Sequence, residues 1–165
     1  MRIMNLSLAA VLIALLSSFS LSAHAAESAI KVTSIAQIEV EEAGKDGKKS
    51  FKRTPVTMAV PGTEVIYTTT FENTINKAAE NISINNPIPN NSEYKAGSAF
   101  GKDCEILFSV DNGKTFGHAE ELKVRGTDSK ERAALPREYT HIRWNYKTRL
   151  APGKSAEVGF RAAIK

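Results

Sequence analysis

The chain has 165 residues, a formal net charge of +4 at pH 7 and a single cysteine. Acidic and basic residues are mixed along the chain, which is not typical of a nucleic-acid-binding surface, and a lone cysteine excludes an internal disulfide. The length suffices for one domain that buries its own hydrophobic core.

The first 25 residues have the three parts of a secretory signal peptide. Arg2 supplies a basic start, residues 6–21 are largely apolar, and residues 23–25 (Ala-His-Ala) place small residues where signal peptidase cuts. The strictly apolar core is shorter than the roughly 20 residues that span a bilayer. The sequence therefore predicts a cleaved signal peptide over residues 1–25. It predicts a mature chain of residues 26–165 in the periplasm or outside the cell, with no membrane span.

Residues 26–165 are predicted to form a single all-β domain. Short segments of alternating apolar and polar residues recur roughly every 8–12 residues, a spacing typical of a β-sandwich or barrel, and no segment keeps a helical period. The best candidate for a short helix is the stretch 131–135, just before Pro136. The predicted strands, about eight in number, are 30–40, 54–60, 63–73, 79–85, 104–110, 116–124, 139–147 and 154–165.

The first predicted hairpin is charged and exposed. Its first strand changes phase between Val32 and Ile35, as a β-bulge would cause. The basic stretch 44–53 follows glutamates at residues 39–42, and this mixture of charges favours a solvent-facing hairpin over a partner site.

Proline and glycine mark the turns. The Pro-Gly pairs at residues 61–62 and 152–153 predict tight turns, because proline presets the first dihedral angle and glycine accepts a positive one. Residues 85–91 contain two prolines and are predicted to form a rigid crossover rather than a central strand. Asn86 and Asn90 in this crossover either serve its turns or present their side chains to a ligand.

Alternation also predicts the core. Trp144 and Phe160 are expected in it, and Cys104 shares a strand face with Ile106 and Phe108. This alternation favours a buried thiol over a disulfide between two copies of the chain.

A series of motifs follows in order along residues 60–99. They are a Pro-Gly turn, the strand 65–74, a Pro-Ile-Pro step at 87–89, and Tyr94 followed by Gly97-Ser98; residues 150–164 add another Pro-Gly turn before a closing strand. This order resembles the bacterial conserved repeat domain, also called domain of unknown function eleven, of which this sequence contains one copy. The resemblance implies an immunoglobulin-like β-sandwich of about 7–8 antiparallel strands and no agreed catalytic residues. In such a sandwich we expect the last strand toward a sheet edge, with Arg161 and Lys165 facing water. Either these two charges protect the edge from pairing, which native edges usually require, or a partner strand docks there.

Residues 108–117 (FSVDNGKTFG) contain an Asp box, the motif S-x-D-x-G-x-T-F that recurs in bacterial sialidases. The Asp111 carboxylate is predicted to accept hydrogen bonds from turn amides, and Gly113 to take a positive φ. Sialidases carry a box in each propeller blade and catalyse with other residues, whereas this chain has one box and no internal repeat. The motif therefore predicts a structural hairpin and no glycosidase.

No catalytic, cofactor-binding or metal-binding residue is predicted. His118 and His141 are the histidines that follow the signal peptide, and neither has a cysteine or acidic residue at metal-ligand spacing. His141 lies on the strand face opposite the apolar residues and is expected to face solvent. Glu120 and Glu121 are neighbours on a predicted strand, so they are expected to point to opposite faces and not to flank one glycosidic bond.

Calcium binding is left open by the sequence. Asp103, Asp111 and Asn112 offer the oxygen ligands that Ca²⁺ prefers. Their loops lack the ordered ligand spacing of a recognised calcium loop. The sequence therefore does not decide whether an ion binds near Asp111 and Asn112.

The sequence best fits a non-catalytic module of the bacterial cell envelope that contacts an unidentified protein or envelope component, without nucleic acid or a cofactor. The alternative is a carbohydrate-binding or adhesin-like surface module, for which Tyr94, Tyr139 and Phe116 are the candidate aromatic residues. A small hydrolase is disfavoured, because no G-x-S-x-G elbow exposes a nucleophile.

Overall fold

The computed structural model describes residues 29–43, 49–126 and 129–165, so the predicted signal peptide lies outside the described residues. These residues form an antiparallel β-sandwich, which confirms the predicted all-β fold. They contain eleven strands, more than the number expected, and a 3₁₀ turn at Pro136–Glu138. The strands are β1 (Ile30–Ala43), β2 (Lys49–Pro55), β3 (Glu64–Asn73), β4 (Ser83–Pro87), β5 (Ser92–Tyr94), β6 (Phe100–Gly101), β7 (Cys104–Ser109), β8 (Lys123–Arg125), β9 (Glu131–Ala133), β10 (His141–Tyr146) and β11 (Ser155–Ile164).

The larger sheet has the strand order β2-β1-β3-β11-β5, and β6 also pairs with β11. Strand β3 shows the predicted alternation, with Val65 and Phe71 on one face and Ile66 and Thr68 on the other. All four side chains are buried. β3 is a central strand, with β1 on one side and β11 on the other.

The smaller sheet has the order β4-β10-β7 and packs against the larger one. Ile142 and Trp144 of β10 are fully buried, and the rings of Trp144 and Phe160 lie 6.3 Å apart across the core. Phe71 and Tyr146 meet edge to face at 5.4 Å. The predicted core positions of Trp144 and Phe160 are therefore confirmed, and truncating either to alanine would cost about 3–5 kcal/mol.

Strand β11 is not an edge strand, and the expectation that the last strand lies at an edge is wrong. It pairs with β3 over residues 155–163, and with β6 and β5 on its other side. Arg161, expected to face water, is partly buried and forms ion pairs with Glu39 and Glu64, each at 2.8 Å. Because β5 and β6 already occupy its second side, β11 offers no docking edge along Val158–Ile164.

No bulge interrupts β1, although the sequence predicted one. Its register with β3 is continuous from Ile30, opposite Asn73, to Gln37, opposite Ile66. Val32 and Ile35 consequently lie on opposite faces of the strand, and they are 51% and 50% exposed. The phase change in the sequence therefore has another cause: Val32 is exposed on one face of β1 and Ile35 on the other.

The hairpin of β1 and β2 is charged and exposed, as predicted. Lys49 pairs with Glu41 at 3.0 Å and Arg53 with Glu39 at 3.4 Å across the two strands. β2 begins earlier than predicted, since it takes in the second half of the basic stretch and ends at Pro55. The turn at residues 44–48 lies outside the described residues.

The predicted tight turns are confirmed. Gly62 and Gly153 have φ angles of +86° and +66°. The Thr63 amide donates to the Val60 carbonyl at 2.9 Å, closing the first turn. A residue with a Cβ atom would be strained at either glycine.

Three segments differ from their predicted structure. Residues 118–122 follow a turn-rich path, and only Lys123–Arg125 forms a strand, β8, which pairs with β9. The stretch 131–135 contains β9 instead of a helical turn, and the 3₁₀ turn begins at Pro136, because proline fits the first position of a helical turn. The crossover at 85–91 starts as part of β4, an edge strand that ends at Pro87. No helix in the described ranges is long and apolar enough to cross a membrane.

Candidate functional site

Strand β1 changes partner half-way along its length. β3 pairs with Ile30–Gln37, and β2 pairs with Gln37–Ala43 on the opposite side of β1. Within the described residues, no strand pairs with Lys31–Ile35 on the side away from β3. All residues of this stretch are exposed. We call Lys31–Ile35 the open edge.

The open edge presents backbone hydrogen-bonding groups to solvent. The Val56 amide donates to the Ala36 carbonyl at 3.1 Å, so the backbone of Ala36 is directed away from β3. Backbone groups alternate in direction along a paired strand. The N–H and C=O groups of Val32 and Ser34 therefore point the same way as those of Ala36, where no described strand meets them.

An apolar groove of about 300 Å³ opens beside the open edge. Its walls include Ala36, Tyr67 and Phe160 from the larger sheet and Pro87 and Pro89 from the end of β4 and the crossover. Tyr67 and Phe160 stack with ring centroids 5.0 Å apart. Tyr67 is half-buried and Phe160 is fully buried, so the groove leads from the open edge toward the sandwich core.

A short chain of polar side chains crosses the groove. The Nδ2 atom of Asn86 donates to Oγ1 of Thr69 at 2.7 Å, and Oγ of Ser34 lies 2.9 Å from the same oxygen. Asn86 therefore stands in the groove, on β4, whereas Asn90 lies in the exposed turn before β5. Of the two asparagines that the sequence singled out, only Asn86 lines this groove.

The other described edges carry features that discourage strand pairing. β2 has three basic residues and ends at Pro55, and β4 ends at Pro87. Phe108 of β7 already exchanges two backbone hydrogen bonds with Gly117, at 2.9 and 3.0 Å. The open edge contains a single charged residue, Lys31, and no proline. It therefore lacks the features that protect β2, β4 and β7.

Asp111 forms the hairpin device that the Asp box predicts. Its Oδ1 atom accepts hydrogen bonds from the Ser109 hydroxyl (2.7 Å) and the amides of Lys114 (3.1 Å) and Thr115 (2.9 Å), and Oδ2 accepts one from the Thr115 hydroxyl (2.6 Å). These bonds, chiefly the one from the Thr115 hydroxyl, hold the pKa of Asp111 well below its usual range. Gly113 has the expected positive φ, +79°. The carboxylate is committed to the turn.

Two side chains with reactive chemistry are partly covered. His141, expected to face solvent, is half-buried and packs on Gly113, where an added Cβ would lie 3.3 Å from His141 Cδ2. Cys104, expected to be buried, is only half-buried beside the core. Burial raises the pKa of its thiol, which disfavours the reactive thiolate.

The described residues contain no group of three or more histidine, cysteine or acidic side chains placed to hold a metal ion. Asp103 and Asn112 have left-handed backbone angles, φ +58° and +59°, and occupy separate turns. Glu120 and Glu121 lie in a turn, which corrects their expected place on a strand. The argument that they point to opposite strand faces therefore does not apply, although both remain exposed.

The aromatic residues proposed as a carbohydrate platform do not form one. Tyr94 and Tyr139 are buried, and both pack on Phe108 with ring centroids 5.3 and 4.7 Å away. Phe116 is half-buried, and the Arg143 guanidinium lies 3.7 Å from its ring centroid. A sugar ring cannot stack on faces that the protein already occupies.

Comparisons with protein-family models, with curated proteins and with solved structures find no match for this chain. Membership of the conserved repeat family stays a prediction. The functional conclusion accordingly rests on the geometry of the open edge and its groove.

Proposed function

We propose that this chain is an exported, non-catalytic module of the bacterial cell envelope that binds an extended segment of a partner protein along its open edge. The observation that carries the proposal is the half-paired strand β1, in which Lys31–Ile35 lacks a described neighbour on one side and borders a groove into the core. Addition of a strand to an exposed sheet edge is an established way for β-sandwiches to recognise extended peptides.

Backbone groups would supply much of the affinity. Val32 and Ser34 each offer one outward N–H donor and one outward C=O acceptor, enough for about four hydrogen bonds to an added strand. Docking would also cover the side chains of Val32 and Ile35, which are half exposed. Removing this apolar surface from water favours the complex.

Side chains of the partner would supply specificity. On the inner face, alternate residues of the added strand would lie over the groove, whose walls of Tyr67, Pro87 and Pro89 favour apolar side chains. On the outer face, Lys31 has no ion pair among the described residues, so an acidic residue opposite it would be electrostatically complementary. The preferred partner segment is thus extended, apolar toward the groove and acidic opposite Lys31.

The predicted signal peptide and the resemblance to the conserved repeat domain support export and an immunoglobulin-like arrangement of the sandwich. A module of that kind works by surface contact and requires no catalytic residues. Export and the immunoglobulin-like arrangement are both part of the proposal.

The test is a phage-display selection of random peptides against the purified protein. The enriched peptides are then synthesised, and their affinities are measured. Val32→Pro removes an outward-facing donor from the open edge and should weaken peptide binding about tenfold. Phe51→Pro is the matched control, because Phe51 also has an outward-facing amide, on the other exposed strand of the hairpin. This control should bind the peptides like the parent.

Enriched peptides that bind equally well to Val32→Pro would refute the proposal, and so would a failure to enrich any peptide. Analytical ultracentrifugation of the protein alone tests whether a second copy of the chain, rather than a partner segment, occupies the open edge. A dimer of the parent that Val32→Pro abolishes would show that a second copy covers the open edge, and would contradict the partner-segment proposal.

A further inference from the structure

A second, polar cleft lies at the end of the sandwich where the chain crosses from the larger to the smaller sheet. Its volume is about 600 Å³. The lining comes from β6, the turn that follows it, the end of β10 and the start of β11: Phe100, Lys102, Asp103, Tyr146, Ser155 and Glu157. This volume is within the range of roughly 300–1,000 Å³ that small-molecule sites occupy.

Two aromatic rings of the cleft are partly exposed and held in place. Phe100 is 38% exposed, and its ring lies against the backbone of Gly159, where an added Cβ would come within 2.5 Å of Phe100 Cζ. Tyr146 is half-buried and is held edge-on by Phe71, with ring centroids 5.4 Å apart. Both rings are therefore available to a ligand in a fixed position, unlike Tyr94 and Tyr139.

The polar groups of the cleft are largely uncommitted. Lys102 and Asp103 make no side-chain hydrogen bond or ion pair within the described residues, whereas elsewhere on the surface Glu39 and Glu64 each pair with Arg161. Glu157 accepts one long hydrogen bond, 3.3 Å, from the Thr70 hydroxyl. The cleft thus offers the unpaired carboxylate of Asp103, the unpaired ammonium group of Lys102, and a Glu157 carboxylate with one hydrogen bond.

The turn that carries these groups is fixed by backbone contacts. The Lys147 amide donates to the Asp103 carbonyl at 2.9 Å, which ties the turn to the end of β10. An added Cβ at Gly101 would lie within 3.0 Å of Trp144 Cδ1, so the chain enters the turn in close contact with the core. Asp103 is therefore presented by a supported turn.

From this combination we infer that the cleft binds a neutral oligosaccharide. A sugar ring has an apolar C–H face that packs on an aromatic ring, and hydroxyl groups that bond to carboxylates and ammonium groups. Two carboxylates and one ammonium group line the cleft, so neither an anion nor a cation is complementary to all three, and a purely apolar ligand would strip water from them without replacing its hydrogen bonds. A neutral polyhydroxylated ligand offers hydroxyl groups that both donate to the carboxylates and accept from the ammonium group.

This inference is independent of the open edge, which lies on other strands. The test is an NMR titration of the isotope-labelled protein with cellotriose, triacetylchitotriose and maltotriose, three neutral sugars, to millimolar concentration. At least one sugar should shift the amide signals of Phe100, Asp103 and Glu157. Phe100→Ala should raise its Kd by about 2- to 10-fold through loss of the aromatic surface.

Asp103→Asn serves as a second variant, since asparagine tolerates the same left-handed backbone angle. It removes the charge from an exposed turn and should also weaken binding. Phe51→Ala, an exposed aromatic on β2, and Val32→Pro are controls that should bind the sugar like the parent. The inference is overturned if none of the three sugars shifts the cleft signals, if the shifts map elsewhere, or if Phe100→Ala and Asp103→Asn bind with unchanged affinity.

Discussion

Adjacent residues of β1 should differ sharply in their tolerance of proline. The alternation of backbone groups directs the amide of Thr33 toward β3, where Thr70 lies opposite, and directs the amide of Val32 outward. Proline lacks the amide proton and fits a sheet only where that proton would face solvent. Val32→Pro should therefore leave the sheet intact, whereas Thr33→Pro should break one bond of the ladder.

The expected magnitudes follow from that single bond. Thr33→Pro should lower the free energy of unfolding by about 1–3 kcal/mol, because the carbonyl opposite loses its donor. Val32→Pro should stay within about 1 kcal/mol of the parent. Urea unfolding followed by circular dichroism measures both values in matched samples. Equal destabilisation by the two variants, or a larger effect of Val32→Pro, would show that the outward side of β1 is already paired and would refute the open edge.

Three further outcomes are expected. Asp111→Ala should lower the melting temperature at neutral pH. The folded pKa of Asp111 lies below its ordinary value, so the stability that its carboxylate adds is lost as pH falls through the folded pKa. The difference in melting temperature between parent and variant should therefore narrow below about pH 4. A difference that stays constant down to about pH 2 would contradict the assigned bonds. Cys104 should react slowly with a thiol reagent until the protein unfolds, and a disulfide-linked dimer on non-reducing gels would overturn its partial burial. Gly159→Ala should lower the free energy of unfolding in urea by about 1–3 kcal/mol, since the new Cβ would clash with the Tyr67 carbonyl oxygen. Gly117→Ala, whose Cβ meets only ordinary contacts, should lower it less. Equal losses would argue against the close approach of Gly159 to Tyr67.

Local patterns in the sequence predicted the local structure well. The alternation of β3, the two Pro-Gly turns and the Asp box depend on residues close together in the chain, and each was found where expected. The burial of Trp144 and Phe160 also followed from alternation. The face of the strand on which a large apolar side chain lies decides its burial, whichever strands pair on either side.

Features that depend on distant pairing were not predictable in this way. The central position of β11 depends on β5 and β6, two very short strands whose sequences carry little strand signal. The open edge exists because β2 pairs with only half of β1. The extent of this pairing depends on the register of the two strands, for which the sequence contains no local signal. The available signal was the pair Val32 and Ile35, whose phase change indicated two uncovered apolar faces rather than a bulge.

The cleft was missed for the same reason. Phe100 and Tyr146 are far apart in sequence and line the same cleft only because the β6–β7 turn crosses between the sheets. The aromatic residues that the sequence singled out, Tyr94 and Tyr139, are core residues at a sandwich corner. Exposure of an aromatic ring is set by the packing of other strands, so residue type alone could not distinguish the two pairs.

Amide hydrogen exchange along β1, measured residue by residue by NMR, tests the central claim most directly. In the free protein, the amides of Val32 and Ser34 should exchange rapidly, while those of Thr33 and Ile35 should be protected by β3. Addition of a selected peptide should slow exchange at Val32 and Ser34 and leave the other two unchanged. Slow exchange at Val32 and Ser34 in the free protein, or no change when the peptide is bound, would contradict an open edge that accepts a partner strand.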